Sequence, residues 1–359
     1  MAADEVWTVR RILDWTVGFL ERKGDEHPRL SAEWLLSDAT GLSRVELYMN
    51  FDRALVESEL AVMREGVRRR GAGEPLQYVT GEMPFRHIVL RCERGVLIPR
   101  PETEVLVDAA LEGVDAARRA SMVFDDVRVR AQDRGSSERE ALERRVAELE
   151  KQIRSWEGEL PDEHLADEYM RARAELDAAP DAAPLGVRVL DLCTGTGCIA
   201  LSIASERPGT YVVATDIDPV ATALAERNGA SLGLADAVDV LECDLAADVP
   251  TELMGTFSVL VSNPPYIPSE VVPLLPIEVR GFEPGLALDG GDDGLDVFRR
   301  ILELAPAALA PGGMLCVELF EENVFEAANL VRARGGWARV EVREDLTHRP
   351  RVLVAVRES

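Results

Sequence analysis

Strand and helix patterns alternate through the second half of this 359-residue chain, and this alternation limits the possible folds more than any other feature. Apolar runs typical of strands, with helical patterns between them, lie at residues 187–192, 211–215, 238–241, 257–261 and 314–319. Such an order predicts parallel strands with helices packed on both faces of the sheet. The sequence therefore predicts an α/β fold with a doubly wound, mostly parallel sheet. A last strand near residues 351–356 follows a short turn, so that it could pair antiparallel.

The first 75 residues instead carry apolar side chains at helical spacing, which predicts an N-terminal helical domain over residues 1–75. Gly71, Gly73 and Pro75 end this pattern. Short apolar stretches follow at residues 77–79 and 88–90, and we interpret residues 76–100 as a connector that contains a strand hairpin. The larger domain then covers residues 101–359.

A segment rich in alanine, arginine and glutamate interrupts the larger domain at about residues 112–184. Ser137 and Glu140 resemble a capping box at the start of a helix. Apolar residues follow at alternating spacings of four and three, namely Leu142, Val146, Leu149, Ile153 and Trp156. Pro161 then opens a second helical pattern, which is carried by Leu165, Tyr169, Ala172 and Leu176. We predict a helical hairpin here, and a partly disordered charged insertion is the alternative.

The formal net charge of −25 restricts the partners of this chain. Proteins that bind the backbone of DNA or RNA normally present a basic surface that displaces counterions, so we expect no direct nucleic-acid substrate. Arg68, Arg69 and Arg70 form the one dense basic cluster of the sequence. We interpret this cluster as a solvated helix face that could meet an acidic protein.

The cysteines and histidines indicate neither a disulfide framework nor a metal site. Five cysteines are scattered without a CxxC pair, and four histidines lie far apart in the sequence. No apolar run reaches the length of a membrane span, and the acidic start of the chain is unlike a signal peptide. We therefore predict a cytoplasmic protein with reduced, mostly buried cysteines, no metal ion and no membrane contact. The oligomeric state stays open.

A glycine-containing loop follows the first strand of the alternating region and precedes a helix. It consists of Cys193, Thr194, Gly195, Thr196 and Gly197. Its glycines allow a ligand to approach the backbone, and the start of the helix offers free N–H groups. The loop matches neither the GxGxxG pattern nor a phosphate-binding loop with Lys-Ser/Thr, so nucleoside triphosphate binding is disfavoured.

Acidic residues end the next two strands. Asp216 follows residues 211–215, where a carboxylate can accept hydrogen bonds from both hydroxyls of a ribose. Asp244 closes the strand after it, where an adenine amino group would be its partner. We interpret the nearby Asp218 as a helix cap. Each acid alone is more often a cap or a turn residue, but acids at successive strand ends favour an adenosine-containing ligand.

A tetrapeptide at the end of the strand at 257–261 offers acceptors for a planar amino group. Its residues are Asn263, Pro264, Pro265 and Tyr266. The prolines remove two backbone N–H donors, which leaves the carbonyls of Asn263 and Pro264 free to accept hydrogen bonds from an –NH2 group. That group could belong to a nucleobase or to a side-chain amide, and Tyr266 could pack on its plane. A proline-rich turn that merely ends the strand is the alternative.

Together these motifs resemble those of the class I S-adenosylmethionine-dependent methyltransferases, and the tetrapeptide resembles the catalytic motif of members that methylate planar nitrogen. Further segments resemble the release-factor glutamine methyltransferases of the HemK/PrmC type. These segments are Leu97-Ile98-Pro99-Arg100-Pro101-Glu102-Thr103-Glu104, Glu283-Pro284, Ala287-Leu288-Asp289-Gly290-Gly291, Asp293-Gly294-Leu295 and Asp345-Leu346-Thr347 with Arg349. The resemblance covers nearly the whole chain except the insertion. It implies a class I methyltransferase-like sheet and an N-terminal domain that recognises the substrate.

The resemblance also implies roles for individual residues. S-adenosylmethionine would be held by Asn263 and by residues of the strand ends, namely Cys193, Thr194, Gly195, Thr196, Gly197, Asp216, Asp244 and Leu245. The protein substrate would be a peptide chain release factor, whose Gly-Gly-Gln loop presents a glutamine. That glutamine would be bound by Asn263, Pro264, Pro265, Tyr266, Arg100 and Glu102, of which Asn263, Pro264 and Tyr266 would act in catalysis. Direct methyl transfer would need neither a metal nor a covalent intermediate.

The chain departs from the family pattern in two further places. Cys193 stands where the family usually has glycine, and from its side chain we predict that its backbone is not left-handed. Glu318-Leu319-Phe320 replaces the usual Glu-x-Gly stretch. Two alternative functions stay open. One is methylation of adenine or guanine amino groups in nucleic acid, which the net charge disfavours. The other is a scaffold protein that binds the cofactor and whose insertion carries the function.

Overall fold

The computed structural model describes residues 6–132, 145–146, 148–149, 151, 168–172 and 186–359. The chain divides into two compact units, one formed by Met1–Val114 with Arg188–Ser359 and the other by Asp115–Val187. Within the described ranges, the helices lack a stretch that is both long and apolar enough to cross a membrane.

Helices form the N-terminal part of the first unit, namely α1 (Val9–Arg22), α2 (Pro28–Thr40), α3 (Arg44–Met49) and α4 (Glu57–Arg70). Their starts follow local rules, since Thr8 caps α1, Pro28 opens α2 and Ser43 forms a capping box with Glu46 in α3. Their apolar faces enclose a buried cluster, which includes Leu13, Leu20, Leu36, Leu47 and Met63. The helical pattern predicted for this region is confirmed, whereas the domain boundary at residue 75 stays a prediction.

The connector begins with a short helix, where we predicted a strand. Residues 77–79 lie in α5 (Leu76–Thr80), and the hairpin is formed by β1 (Glu82–Phe85) and β2 (Ile88–Arg91), which pair antiparallel. A stretch of this length suits a helical turn as well as a strand, so the flanking residues decide. Pro75 precedes the helix, and Gly81, at φ 78°, ends it. The prediction for residues 77–79 was therefore wrong, and that for residues 88–90 is confirmed.

The alternating region forms a seven-stranded sheet in the order β5-β4-β3-β6-β7-β9-β8. Its strands are β3 (Arg188–Leu192), β4 (Tyr211–Asp216), β5 (Val238–Glu242), β6 (Phe257–Ser262), β7 (Leu309–Glu318), β8 (Trp337–Glu344) and β9 (Pro350–Arg357). Further helices are α6 (Thr103–Gln132), α7 (Cys198–Glu206), α8 (Pro219–Ser231), α9 (Ile277–Arg280), α10 (Asp296–Ala308) and α11 (Val324–Arg334). Neighbouring strands from β5 to β7 are parallel, and β9 is antiparallel to both β7 and β8. The predicted fold, with its antiparallel final strand, is confirmed.

The order in which successive strands are added to the sheet reverses at β3. From β3 it proceeds to β4 and β5 on one side, and it then places β6 on the other side. Leu192 is the register partner of both Thr215 in β4 and Ser262 in β6, so the carboxyl ends of these strands lie side by side. Open α/β sheets bind ligands outside the carboxyl ends of their strands at such a switch point. The fold thus places the residues that follow Leu192, Thr215 and Ser262 around one crevice.

Helices cover both faces of the sheet. Successive residues of β6 point to opposite faces, so that two neighbouring residues show what packs on each face. Val259 lies against α6 at Gly113, where an added Cβ would come within 2.7 Å of its Cγ2. Leu260 belongs to a buried cluster with Phe298 and Ile301 of α10. Full burial of side chains of this size contributes about 1.5–3 kcal/mol each. This packing supports the sheet edge that carries the crevice.

The second unit is described only in part. Val146, Leu149 and Ala172 form a small buried cluster with Tyr169 beside it. These apolar positions belong to the patterns from which we predicted the helical hairpin. The other residues of that prediction lie outside the described ranges, namely Ser137, Glu140, Leu142, Ile153, Trp156, Pro161, Leu165 and Leu176. The hairpin and the boundaries of the insertion stay predictions.

Candidate active site

A cleft opens at the carboxyl ends of β3, β4, β5 and β6, with a volume of about 1140 Å³ that includes its open mouth. Most of the predicted site residues line it, namely Arg100, Cys193, Thr194, Gly195, Thr196, Asp216, Asp244, Leu245, Asn263 and Pro265. Glu102, Gly197, Pro264 and Tyr266 are neighbours of these residues in the sequence but do not form part of the wall. The structure therefore brings most of the predicted site residues together in a single cleft.

The loop after β3 turns sharply into α7, and its backbone overturns one prediction. Cys193 has φ 60°, which is left-handed, although we predicted the opposite from its side chain. The backbone N–H of Thr194 donates to the carbonyl of Thr215 at 3.0 Å, and this bond to the neighbouring strand holds the turn. A left-handed conformation costs an L-residue about 1–2 kcal/mol. The geometry of the turn, rather than the preference of cysteine, therefore decides the conformation at this position.

The two glycines of the loop contribute differently. Gly195, at φ 56°, would place an added Cβ 4.0 Å from its nearest neighbour, Val96, so its backbone borders open space in the cleft. Gly197, at φ 82°, would place a Cβ 3.0 Å from Leu201 of α7 and 3.3 Å from Ala225 of α8. Gly195 thus leaves room for a ligand, whereas Gly197 permits close packing behind the loop.

Asp191 supports this loop from within β3, a role that we did not predict. Its side chain is fully buried, and its Oδ2 accepts hydrogen bonds from the Thr194 hydroxyl at 2.7 Å and from the Ala200 N–H at 3.2 Å. Burial raises the pKa of the Asp191 carboxyl to about 7, and these hydrogen bonds oppose that effect. An aspartate flanked by apolar residues within a strand is the sequence signal for such a group.

Asp216 ends β4 and is held by backbone donors. Its Oδ2 accepts from the N–H of Gly195 at 2.9 Å, and its Oδ1 accepts from the N–H of Asp218 at 3.0 Å. Burial raises the pKa of its carboxyl above the ordinary value. Each carboxylate oxygen keeps a further lone pair for a ligand hydroxyl. Asp218 itself caps α8 by accepting from the N–H of Val220 at 2.9 Å, which confirms that prediction.

Asp244 follows β5 and forms an ion pair that the sequence did not indicate. Arg300 of α10 donates from Nη2 to Asp244 Oδ2 at 2.7 Å, and both side chains are about half exposed at the cleft. The hydrogen bond to Asp244 raises the pKa of Arg300. Leu245, at φ 51°, lines the cleft next to this pair. A ligand amino group at this end would share the carboxylate of Asp244 with Arg300.

Asn263 and Tyr266 are oriented by buried partners on other elements. Asn263 donates from Nδ2 to Thr103 Oγ1 at 3.2 Å, and the Tyr266 hydroxyl donates to Glu318 Oε1 at 3.1 Å. Burial raises the pKa of Tyr266 above its ordinary value. Among the described residues, no donor contacts the side-chain carbonyl of Asn263 or the backbone carbonyl of Pro264. Both oxygens can therefore accept hydrogen bonds from a ligand.

Arg100 lines the cleft and forms an ion pair with Glu283. Its Nη2 lies 2.8 and 2.6 Å from the two carboxylate oxygens of this buried residue. Burial raises the pKa of Glu283, and the charge of Arg100 opposes this effect. Glu102 is half-buried and lies off the cleft wall. Two segments that carry the family resemblance thus meet at the edge of the cleft.

The thiols in the cleft are poor nucleophiles. Cys193 and Cys198 line it, and burial raises the pKa of both thiols, so they stay protonated at neutral pH. All five cysteines are free, and Cys193 alone among them is not fully buried, which confirms the prediction from their spacing. Neither thiol is therefore a candidate nucleophile at this site.

Known proteins resemble this chain over most of its length. The model of the PrmC N-terminal domain matches residues 11–81, and that of the methyltransferase small domain matches residues 176–272. A release factor glutamine methyltransferase of Geobacter sulfurreducens is 38% identical over 88% of this chain and 85% of its own length. Proteins of the same name from Rhodopirellula baltica and Moorella thermoacetica are 34% and 33% identical, each over 98% of this chain and over 96% and 99% of their own lengths.

Proposed function

The chain belongs to the family of release factor glutamine methyltransferases, and we propose that it methylates the side-chain amide nitrogen of a glutamine in a peptide chain release factor. Its cofactor is S-adenosylmethionine, whose sulfonium centre supplies the methyl group. The observation that carries the proposal is the pair of carbonyl oxygens on Asn263 and Pro264, which accept no hydrogen bond from the described residues. A planar –NH2 group is the natural donor for two such acceptors.

The residues of the cleft fit S-adenosylmethionine. Asp216 offers a carboxylate for the ribose hydroxyls, and Asp244 with Leu245 offers an acceptor and an apolar surface for adenine. The open backbone at Gly195 admits a ligand against the loop after β3. We assign cofactor binding to residues 193–197 together with these three residues and with Asn263.

Asn263 and Pro264 would bind and orient the substrate amide. An amide nitrogen is a weak nucleophile because its lone pair is delocalised into the carbonyl group. Hydrogen bonds from the –NH2 group to these two oxygens increase the electron density on nitrogen and direct it at the methyl group. Pro264 and Pro265 have no backbone N–H that could compete for the same acceptors. Positioning, rather than a covalent intermediate, is therefore the proposed source of catalysis.

Tyr266 would act through packing rather than through proton transfer. Its hydroxyl is committed to Glu318 at 3.1 Å, and its raised pKa keeps it protonated at neutral pH. A tyrosine ring held in this way presents a flat, rigid surface. We propose that this surface limits the position of the glutamine side chain.

Recognition of the release factor would extend beyond the glutamine. We assign Arg100, which lines the cleft, and Glu102, two residues further along the chain, to contacts with the Gly-Gly-Gln loop. We assign the helices α1–α4 to contacts with the rest of the substrate. Release factors act in translation termination, so the cytoplasm is the proposed compartment.

Nucleic acid is a weaker candidate substrate. The chain carries a net charge of −25, and its basic cluster of Arg68, Arg69 and Arg70 is neutralised by carboxylates. These arginines pair with Glu65, Glu74 and Asp25 at 2.6, 2.5 and 2.7 Å, respectively. Arg70 is also buried, so our interpretation of the cluster as a solvated face was wrong for Arg70, whereas Arg68 is exposed. A phosphate backbone would have to displace these ion pairs.

The proposal is tested by methyl transfer from labelled S-adenosylmethionine to purified release factor, with DNA and RNA in parallel. We expect label on the release factor alone, located by mass spectrometry on the amide nitrogen of one glutamine. A release factor in which that glutamine is replaced by glutamate should take up no label. Label on nucleic acid alone would contradict the proposal, and label on none of the substrates would favour a scaffold function.

Asn263→Ala tests the site assignment. We expect kcat to fall about 100-fold or more, because an oriented acceptor for the reacting amide is lost. The control is Asn329→Ala on the exposed face of α11, which should leave kcat unchanged. Full turnover by Asn263→Ala would show that the reaction takes place elsewhere.

A further inference from the structure

Asn228 is a fully buried polar side chain of α8 that contacts two distant parts of the chain. Its Nδ2 donates to the backbone carbonyl of Thr196 at 2.9 Å and to that of Arg91 at 3.3 Å. Its Oδ1 accepts from the backbone N–H of Arg91 at 2.9 Å. One side chain therefore joins the cofactor loop (residues 193–197) to the end of β2 in the connector.

Backbone groups fix the orientation of the Asn228 amide. The carbonyls of Thr196 and Arg91 can only accept hydrogen bonds, and the N–H of Arg91 can only donate one. A flipped amide would place its oxygen against the two carbonyls and its –NH2 against the N–H. Because the side chain is buried, these groups would then lack partners, which is unfavourable. The two segments that Asn228 joins thus hold its amide in one orientation.

The contact with Asn228 fixes one peptide unit of the cofactor loop. Thr196 lines the cleft, and its carbonyl accepts from Asn228. The N–H of the same peptide unit belongs to Gly197 and donates to the carbonyl of Thr194 at 2.9 Å. Since the peptide unit is planar, it cannot rotate without the loss of a hydrogen bond. A loop that is ordered before the ligand arrives loses less conformational entropy on binding.

The same helix supports a second part of the connector that borders the cleft. Val96 packs against Ala221 and Leu224 of α8 in a buried cluster. Val96 also lines the cleft, where its Cγ1 would lie 4.0 Å from an added Cβ at Gly195. The connector and the cofactor loop therefore both lie against α8, and Asn228 links them by hydrogen bonds.

We propose that Asn228 is a positioning residue that holds the cofactor loop in its binding conformation and couples this loop to the connector. The inference rests on the proposed function, because it takes residues 193–197 as a wall of the S-adenosylmethionine site. Cofactor bound against the loop favours the conformation in which the Thr196 carbonyl accepts from Asn228. It thereby favours the hydrogen bonds of the same amide to Arg91, and this stabilisation is reciprocal. Cofactor binding therefore orders the connector.

Two substitutions of Asn228 test the positioning. Asn228→Ala removes the amide, and Asn228→Leu keeps a side chain of similar size without a polar group. We expect either variant to raise the Kd of S-adenosylmethionine about 10-fold, because the Thr196 carbonyl loses its partner and the cofactor loop is no longer held. Isothermal titration calorimetry measures the Kd, and urea denaturation identifies the variants that are folded. A folded variant with a Kd within about twofold of the wild type would overturn the inference.

Arg227→Met is the matched control on the same helix. Arg227 precedes Asn228 and pairs with Glu93 of the connector at 2.8 Å, with both side chains about half exposed. The substitution removes a contact between α8 and the connector but leaves the hydrogen bond to Thr196 in place. We expect a Kd of S-adenosylmethionine within about twofold of the wild type. A rise as large as that in Asn228→Ala would show that the contact with Thr196 is not the cause, and the inference would fail.

Val331→Ala separates positioning from a general loss of stability. Val331 is fully buried in α11 and does not line the cleft. Its truncation leaves a cavity and lowers the free energy of unfolding. We nevertheless expect the Kd of S-adenosylmethionine to stay within about twofold of the wild type. If this Kd rose as much as in Asn228→Ala, lower stability would explain both results and the inference would be wrong.

Steady-state kinetics with a release factor add a second readout. At saturating cofactor we expect the kcat of Asn228→Ala to stay within about threefold of the wild type, because the acceptors on Asn263 and Pro264 are unchanged. The KM for S-adenosylmethionine should rise with the Kd. A loss that appears in kcat while the KM is unchanged would contradict a role in holding the cofactor loop.

Hydrogen exchange without a release factor tests the coupling. In the wild type we expect S-adenosylmethionine to slow the exchange of backbone amides in the cofactor loop and in the hairpin at residues 82–91. In Asn228→Ala at saturating cofactor, the loop should still be protected and the hairpin much less so. A wild-type hairpin that does not respond to the cofactor, or equal protection of the hairpin in both proteins, would overturn the coupling.

These measurements also separate the inference from the proposed function. Cofactor affinity and hydrogen exchange need no release factor. If they follow the expected pattern but the wild type methylates no release factor, the proposed function fails and the positioning by Asn228 stands. If the wild type methylates a release factor but the Asn228 variants bind S-adenosylmethionine as the wild type does, the inference fails and the proposed function stands.

Discussion

Arg100 and Glu283 form an ion pair although 183 residues separate them, with Arg100 Nη2 at 2.8 and 2.6 Å from the two carboxylate oxygens. Glu283 is 6% exposed, so its charge depends on this arginine. The pair joins the segment before α6 to the loop after α9, and residues of both segments line the cleft. Arg100 therefore supports the wall of the site in addition to its proposed contact with the substrate.

Removal of Arg100 would leave a buried carboxylate unpaired. We expect Arg100→Met to lower the free energy of unfolding by about 3 kcal/mol, and Glu283→Gln to lower it by less, because the latter removes the buried charge itself. Urea denaturation measures both changes. The control is Arg227→Met. Arg227 pairs with Glu93, and the two side chains are 44% and 47% exposed. An ion pair as exposed as this one should contribute less than about 1 kcal/mol. Equal stability of Arg100→Met and Arg227→Met would contradict the prediction.

The two acids of the cleft should differ in their effect on cofactor binding. Asp216 is organised by two backbone donors, whereas Asp244 is half exposed and shared with Arg300. We expect Asp216→Asn to raise the Kd of S-adenosylmethionine about 10- to 100-fold, and Asp244→Asn to raise it less, because charged acceptors in ordered sites form stronger hydrogen bonds. Isothermal titration calorimetry gives both values. A larger effect of Asp244→Asn would reverse this order.

The protein should be more stable with glycine than with alanine at position 193. Both substitutions remove the sulfur, but alanine keeps the Cβ that is strained at φ 60°. We expect Cys193→Gly to exceed Cys193→Ala by about 1 kcal/mol in the free energy of unfolding, measured by urea denaturation. A more stable alanine variant would mean that the left-handed turn relaxes when the side chain is shortened.

Asp191 should make stability fall as pH rises towards about 7. Burial raises its pKa to about 7 in the folded protein, whereas the ordinary value is 3.8. Between these values the folded protein holds a proton that the unfolded chain has released, so rising pH favours unfolding by up to about 1.4 kcal/mol per pH unit. Asp191→Asn removes this contribution. The free energy of unfolding of Asp191→Asn should therefore increase relative to that of the wild type from pH 5 to pH 7. Above pH 7 the difference between the two proteins should stay constant.

Asp239→Asn is the control for this pH dependence, because Asp239 lies exposed on β5. Chemical denaturation at several pH values should show a larger pH-dependent difference from the wild type for Asp191→Asn than for Asp239→Asn. A difference between Asp191→Asn and the wild type that does not change with pH would mean that Asp191 is ionised in the folded protein at pH 5.

Two predictions failed where a short segment permits more than one conformation. Residues 77–79 suit a strand or a helical turn, and Pro75 and Gly81 decide for the helix. Cys193 takes a left-handed conformation because the turn from β3 into α7 requires it. In both places the neighbouring backbone, rather than the residue itself, determines the outcome.

The sequence by itself determined the order of strands and helices and the residues that stand at the strand ends. Apolar periodicity specifies buried faces, and parallel strands bring their carboxyl ends to one edge, so the loop at residues 193–197, Asp216, Asp244 and Asn263 were predictable as one group. Their individual roles stay proposals. Only the tertiary structure decided which side chains support them, namely Thr103 for Asn263, Glu318 for Tyr266, Arg300 for Asp244 and Glu283 for Arg100. These partners are 52 to 183 positions apart, and a hydrogen bond over that separation depends on strand register and helix packing, which local patterns do not specify.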